Sequence, residues 1–195
     1  QRLNNMINDI LDFSRFDSTE VKIEKGFLDI KPIIENTAVS MQMTAQEKNI
    51  TFNVSVEDNL PKLYINQDSI ERVLKNLISN AKYSNDNGKI IISAKLDNAG
   101  KNVECMVEDF GIGIAKEHLS KIFDRFYRVE NKTHTVKGTG LGLHLVKVAI
   151  ENHHGGKVFA ESEPDKGSKF GFILPILTQA DIDDEQKIDE NKSLA

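Results

Sequence analysis

Asp109-Phe110-Gly111-Ile112-Gly113-Ile114 opens, and Gly138-Thr139-Gly140-Leu141-Gly142-Leu143 closes, the stretch on which the reading of this chain turns. Between the two glycine turns runs a polar, basic excursion, and after the second comes an apolar helical pattern. Glycines let backbone approach phosphate groups closely, and the amides at a helix start face negative charge. Two such turns flanking a loop, in this order, point to a nucleotide.

Upstream of the first turn, the alternation from Asn102 to Glu108 predicts a strand that delivers Asp109 at its end. A preceding strand, Lys89 to Leu96, follows the turn Asn85-Asp86-Asn87-Gly88. Before that lies a helix with the stripe Ile70, Val73, Leu74, Leu77, Ile78 and Ala81, for which Asp68 and Ser69 offer N-cap chemistry. On this helix Asn76 and Asn80 lie four apart and share a face. Asparagine is a middling helix former, so two stacked beside a core stripe are unusual; the bland alternative is a solvated pair.

Further upstream, Leu63 to Ile65 reads as a short strand and Ile50 to Val56 as a half-buried one. Pro32 marks a helix start ahead of Ile33, Ile34, Thr37, Met41 and Ala45, and Val21 to Ile30 reads as a strand or hairpin. The first residues carry Leu3, Met6, Ile10 and Phe13 at heptad spacing, a helix that lies on its own domain or pairs in a hairpin. Because Gln1 falls inside that pattern, the sequence is read as a fragment of a longer protein.

Downstream of Asp109, residues Glu117 to Phe126 read as an amphipathic helix with Leu119, Ile122, Phe123 and Phe126 inward. Leu141 to Ile150 is a buried helix ended by His153-His154-Gly155-Gly156. The adjacent histidines read as polar helix-end residues rather than as a chelating pair. Strands at Val158 to Ala160 and Phe170 to Leu174 flank the turn Pro164-Asp165-Lys166-Gly167. The acidic stretch 177–195 is expected to fray.

Composition narrows the classes. A net charge of -5 argues against a nucleic-acid surface. Cys105 is the sole cysteine, so neither an internal disulfide nor a thiolate metal site can form. No apolar run approaches the ~20 residues of a membrane span.

Several nucleotide motifs fail on spacing. Gly156-Lys157 is not the end of a Walker loop, and Gly138-Thr139-Gly140-Leu141-Gly142 lacks the Rossmann spacing. Asp109-Phe110-Gly111 spells the D-F-G of serine/threonine kinases, but Glu151 stands where their strand lysine would follow Val148-Ala149-Ile150. What remains is an asparagine helix, D-x-G-x-G, a phenylalanine-bearing lid and G-T-G-L-G-L. That succession resembles the catalytic ATP-binding domain of sensor histidine kinases, in the superfamily shared with DNA gyrase, MutL and the heat-shock chaperone.

The resemblance implies an α/β fold: a Bergerat-type two-layer sandwich of a mixed β-sheet and helices, preceded by a coiled-coil-like helix. It divides the chain into residues 1–18, the end of a dimerisation hairpin, residues 21–176, the ATP-binding domain, and an acidic tail, 177–195. It assigns ATP and Mg²⁺ as cofactors. Asn80 matches the principal metal ligand and Asn76 a second, and both carry the catalytic role. Neutral carboxamides suit Mg²⁺, a hard cation completed by phosphates and water. Asp109 matches the carboxylate that accepts from the adenine amino group, which disfavours GTP. Gly111 and Gly113 match glycines lying close to the nucleotide. Gly138, Thr139, Gly140, Leu141 and Gly142 match the hinge and phosphate cradle. Phe123 and Phe126 match the aromatic pair of the lid, read as core anchors.

Arg128 matches an arginine that reaches the phosphates in some members; a solvated lid arginine is the alternative. Lys82 and Tyr83 match the lysine-tyrosine after the metal asparagine. Here the chain departs from the pattern, because only Ala81 separates Asn80 from Lys82 where the family has two residues. One residue turns a helical side chain by ~100°, so Lys82 loses its phosphate contact or the helix end reshapes.

Related hydrolases carry a glutamate at the position of Asn76, and an asparagine cannot serve as a general base. This favours transfer to a protein acceptor. No H-E/D-x-x-[TN]-P acceptor motif occurs, so the accepting histidine is expected upstream of Gln1. The implied partners are a response-regulator receiver domain and a second copy, joined as a homodimer through the N-terminal hairpin. The implied location is cytoplasmic, with inner-membrane anchoring of the whole protein left open. A degenerate nucleotide-binding scaffold is the alternative, favoured only by the Lys82 spacing.

Overall fold

The computed structural model describes residues 23–46, 49–84, 88–129 and 139–184. In chain order the elements are β1 (Gly26–Leu28), α1 (Ile30–Gln46), β2 (Thr51–Val56), β3 (Leu63–Ile65) and α2 (Gln67–Ser84). Then come β4 (Lys89–Leu96), β5 (Asn102–Asp109), α3 (Lys116–Leu119) and α4 (Gly142–Lys147), the last continued by a π-helical turn, Val148–Asn152. β6 (Lys157–Glu163) and β7 (Gly167–Pro175) complete the sheet.

Alternation builds the sheet. In β4 and β5 every second residue is buried, and Ile90, Ile92, Ala94, Val103, Cys105 and Val107 share the face that Phe170, Phe172 and Leu174 extend from β7. The five strands run in the order β2-β4-β5-β7-β6, with β2 parallel to β4 and the other pairs antiparallel. Helices α1 and α2 pack together, α1 on β2 and α2 on β5 and β7, and α4 packs on α2. The stripe predicted for α2 is buried along its whole length. Each such Leu or Ile contributes ~1.5–3 kcal/mol by leaving water. The other sheet face is half-buried and carries charge pairs such as Lys169 with Glu108 at 3.3 Å. This is the expected two-layer α/β sandwich with a mixed sheet.

Local details depart from expectation. Helix α1 begins at Ile30, where Asp29 Oδ1 accepts from the Lys31 amide at 2.9 Å. Pro32 therefore sits in the first turn, where a missing N–H costs nothing. Within Val21 to Ile30 the strand reading holds for β1, Gly26–Leu28, which pairs antiparallel with the distant β3 rather than in a local hairpin. For α2 the cap is Asn66, whose Oδ1 accepts from the Ser69 amide at 2.9 Å, rather than Asp68 or Ser69. Asn66 sits one place before the helix, where a short side chain can reach the third amide.

The predicted helix over Glu117 to Phe126 shrinks to α3 followed by tight turns. Ile122 is buried and Leu119 and Phe123 pack against the core, but Phe126 is 60% exposed. Its φ of 61 turns the chain back on itself, which throws the ring outward. The tail also starts differently: residues 179–184 are helical, and Asp181 Oδ2 accepts from the Thr178 amide at 2.7 Å in a reciprocal cap. Ile182 anchors that turn in the core, 3% exposed. The helix expected over 1–18, the turn expected at Asn85-Asp86-Asn87, residues 130–138 and the stretch 185–195 lie outside the described residues.

Candidate nucleotide-binding site

Strand β5 runs between β4 and β7 and ends on Asp109, opposite Ile90 and Ser168. Its carboxylate is 2% exposed, and Oδ1 accepts from the Gly111 amide at 2.9 Å. The first glycine turn thus folds over the side chain that precedes it.

That turn is fastened to the β6–β7 turn. The Asp165 amide donates to Ile112 O at 2.9 Å, and the Ile114 amide donates to Ser162 Oγ at 2.8 Å. The Ser162 hydroxyl donates in turn to Gly167 O at 2.7 Å and lies 3.0 Å from Ser168 Oγ. Since its one proton goes to the carbonyl, Ser168 must donate to it. Gly113 is demanded by this packing: its φ is +65, and a Cβ there would stand 1.9 Å from Glu163 O. Gly167, at φ +98, similarly leaves no room for a Cβ against Asp109 O.

The second glycine turn is held differently. The Phe126 amide donates to Gly140 O at 3.1 Å, closing the neck of the excursion that leaves at Tyr127. Gly140 has φ +73, and a Cβ would meet the Phe126 backbone at 2.9 Å. On the outgoing side, His118 Nδ1 lies 2.7 Å from the Tyr127 hydroxyl, and the Arg125 guanidinium sits 4.9 Å from the centre of the Phe126 ring.

Helix α4 then starts directly against α2, where a Cβ on Gly142 would lie 3.2 Å from Asn76 Oδ1. Leu141 is buried, so its side chain does not face a ligand. The Thr139 hydroxyl accepts from the Leu141 amide at 3.4 Å.

Asn76 and Asn80 are half-buried on α2, beside its apolar stripe. The Asn80 carboxamide nitrogen is buried with no hydrogen-bond partner among the described residues. A buried, unmet donor costs ~1–3 kcal/mol, so a polar ligand that met it would recover that cost. Among the described residues no group of three His, Cys, Asp or Glu could hold a metal ion. A cation here would draw on carboxamide oxygens together with oxygens of its own ligand, which fits a hard ion arriving on a phosphate chain.

Of the predicted residues, the structure gathers Asn76, Gly140, Leu141 and Gly142 where α2 meets α4, and sets Asp109, Gly111 and Gly113 at the end of β5. Arg128 is exposed on the outgoing arm of the lid. α2 stays helical through Ser84, so the shortened spacing does not unwind it; the Lys82 and Tyr83 side chains, and Gly138, lie outside the described residues. Sequence reading missed Ser162 and Ser168, for which no local motif exists. It also missed Asn66, whose signal was a capping residue directly before the helix.

The chain belongs to the family of histidine kinase-, DNA gyrase B-, and HSP90-like ATPases, whose pattern it matches over residues 65–178. Within that family it is similar to the sensor histidine kinase WalK of Bacillus subtilis, 35% identical over 185 residues that cover 94% of this chain and 30% of WalK. Its fold is similar to full-length ShkA in complex with AMPPNP, with a TM-score of 0.79 and 27% identity over 90% of this chain and 36% of ShkA. It is also similar to the histidine kinase ThkA in complex with the response regulator protein TrrA, with a TM-score of 0.72 and 26% identity over 90% of this chain and 48% of that one. The chain spans about a third of the length of the curated relatives it matches, 28% to 34% among those most similar.

Proposed function

We propose that this chain is the catalytic ATP-binding domain of a two-component sensor histidine kinase, passing the γ-phosphoryl group of Mg²⁺-ATP to a histidine upstream of Gln1. The observation that carries the reading is Asn76 set against the first residue of α4, which brings the asparagine helix and the second glycine turn to one place. When bound, Mg²⁺-ATP supplies the phosphoryl group and the counter-charge for its transfer.

The chain's own residues position and discriminate. Asn80, seconded by Asn76, holds the cation through carboxamide oxygens. Asp109, a buried acceptor steadied by the Gly111 amide, takes a hydrogen bond from the adenine amino group and refuses the carbonyl of guanine. Gly111 and Gly113 lie in the turn that passes close to the nucleotide, the first giving its amide to Asp109 and the second fitting the turn against Glu163. The backbone of Gly138, Thr139, Gly140, Leu141 and Gly142 faces the phosphates, with Arg128 on the lid and Lys82 and Tyr83 beyond Asn80. Asn76 cannot take a proton from water, which favours a protein acceptor over hydrolysis. In the whole protein the helical hairpin that ends in residues 1–18 pairs two copies in a cytoplasmic assembly, and a receiver domain takes the phosphoryl group onward.

The test incubates the protein, extended to its native upstream helices, with γ-labelled ATP and Mg²⁺. Label lost in acid and kept in base is phosphohistidine and is the expected result. Free phosphate with unlabelled protein would make the chain a hydrolase. Asn80→Ala should abolish labelling while the chain still unfolds cooperatively.

A further inference from the structure

We propose that His154 is a positioning residue, locking the far end of the α4 helix to the head of α2 and so fixing how the two walls of the nucleotide site meet. The proposal rests on the nucleotide-site reading above.

His154 follows the π-helical turn and is 4% exposed. Its Nδ1 lies 2.6 Å from Ala149 O, and its Nε2 lies 3.1 Å from the Asn66 amide nitrogen. A carbonyl can only accept and a backbone amide can only donate, so the two partners dictate one form: neutral imidazole with its proton on Nδ1. An imidazolium would set N–H against N–H. Burial, aided by Lys25 and His153 nearby and opposed by the bond to Ala149 O, pushes the group down to about 4.

Asn66 is a junction. Its amide meets His154, its carbonyl accepts the first helical bond of α2 from Ile70, and its Oδ1 caps Ser69. Its Nδ2 donates to Glu24 O at 2.8 Å, while Lys25 Nζ reaches His153 O at 3.0 Å. The segment leading into β1 is thereby tied to both helices.

The contact between α2 and α4 has three stations. Near the ligand, Asn76 meets Gly142. In the middle, Ser69, Arg72, Val73, Asn76, Leu145 and Ala149 line a gap of about 10 Å³, and Ser69 Oγ is buried there with no hydrogen-bond partner among the described residues. At the far end stands the imidazole. Apolar contact across an imperfectly filled seam is non-directional, whereas a hydrogen bond fixes distance and angle. The imidazole is a directional link at the end of this seam, ~15 Å from Asn76 at helical rise.

The experiment uses the 195-residue chain with two substitutions that divide the imidazole's bonds. Asparagine can place an N–H near Nδ1, and glutamine can place an acceptor near Nε2. His154→Asn should therefore lose the link to Asn66, and His154→Gln should keep it. With no nucleotide present, His154→Asn is expected to shift the Gly142 amide resonance while His154→Gln leaves it in place. Mg²⁺-ATP affinity of the folded His154→Asn variant should fall roughly tenfold or more, since small displacements at a site are expensive. In wild type, imidazole ¹⁵N shifts should report the Nδ1–H tautomer.

A Gly142 resonance unmoved in His154→Asn would overturn the proposal, as would an Nε2–H tautomer. So would a lowered melting temperature with unchanged affinity of the folded protein, the mark of plain stabilisation. If wild type bound no nucleotide while Gly142 still shifted in His154→Asn, the lock would stand and the nucleotide reading would fall.

Discussion

The two glycine turns look alike in sequence and are built for different work. The first is locked on three sides: by Asp109 Oδ1, by Ser162 Oγ, and by the Asp165 amide that crosses from the β6–β7 turn. The second is held at its neck by the bond between Phe126 and Gly140, and at its exit by α4 seated on Asn76. In the first, Gly113 is required because the protein's own backbone occupies the space of a side chain. In the second, Gly140 is required because the chain must fold back against Phe126. One turn makes a fixed wall and the other a closing neck.

The largest effect should come from filling the wall. Gly113→Ala combines a positive φ with overlap against Glu163 O, and is expected to cost ~3 kcal/mol or more in urea unfolding. A loss below ~1 kcal/mol would break the distinction, because it would mean the wall can yield.

Acid should act next, through the far end of the helix that follows the neck. His154 is held neutral with its pKa at about 4, below the usual 6.5. Between those values the unfolded chain binds the proton that the folded one refuses. Stability is therefore unaffected by this group above pH 6.5, and falls by up to ~1.4 kcal/mol per unit as pH drops towards 4. Urea midpoints at pH 7 and pH 5 should part by more in wild type than in His154→Gln. Equal pH dependence in the two would remove the imidazole as the cause.

A smaller effect is expected at the neck. Gly140→Ala meets the Phe126 backbone at 2.9 Å, a closeness that a shift of a few tenths of an ångström at Phe126 relieves, so unfolding should change by only ~1–2 kcal/mol. Its larger consequence should be weaker Mg²⁺-ATP binding, read by titration. Smaller still, Thr178→Ala removes the cap on 179–184 and should cost ~1 kcal/mol in thermal unfolding, with nucleotide binding untouched.

This contrast also marks what could be read from sequence. The stripe of α2, the alternation of β4 and β5 and the delivery of Asp109 at a strand end were legible because periodicity is local. So was the kinship of the glycine motifs, because their order along the chain carries it. Phe126 was misplaced because an amphipathic pattern cannot show that its backbone takes a positive φ to meet Gly140. The need for Gly113 was hidden because Glu163 is its neighbour only in the folded sheet. The partners of His154 were hidden likewise, although its place at a helix end was not.

The central claim is that Asp109 and the asparagine helix form an adenine-selective nucleotide site. Calorimetric titration of the 195-residue chain with Mg²⁺-ATP and Mg²⁺-GTP, in wild type and Asp109→Asn, tests it most directly. A buried acceptor should favour ATP by at least about tenfold, and the carboxamide, which can turn either face to the base, should narrow that preference. Wild-type binding of both nucleotides with equal affinity, or of neither, would contradict the account.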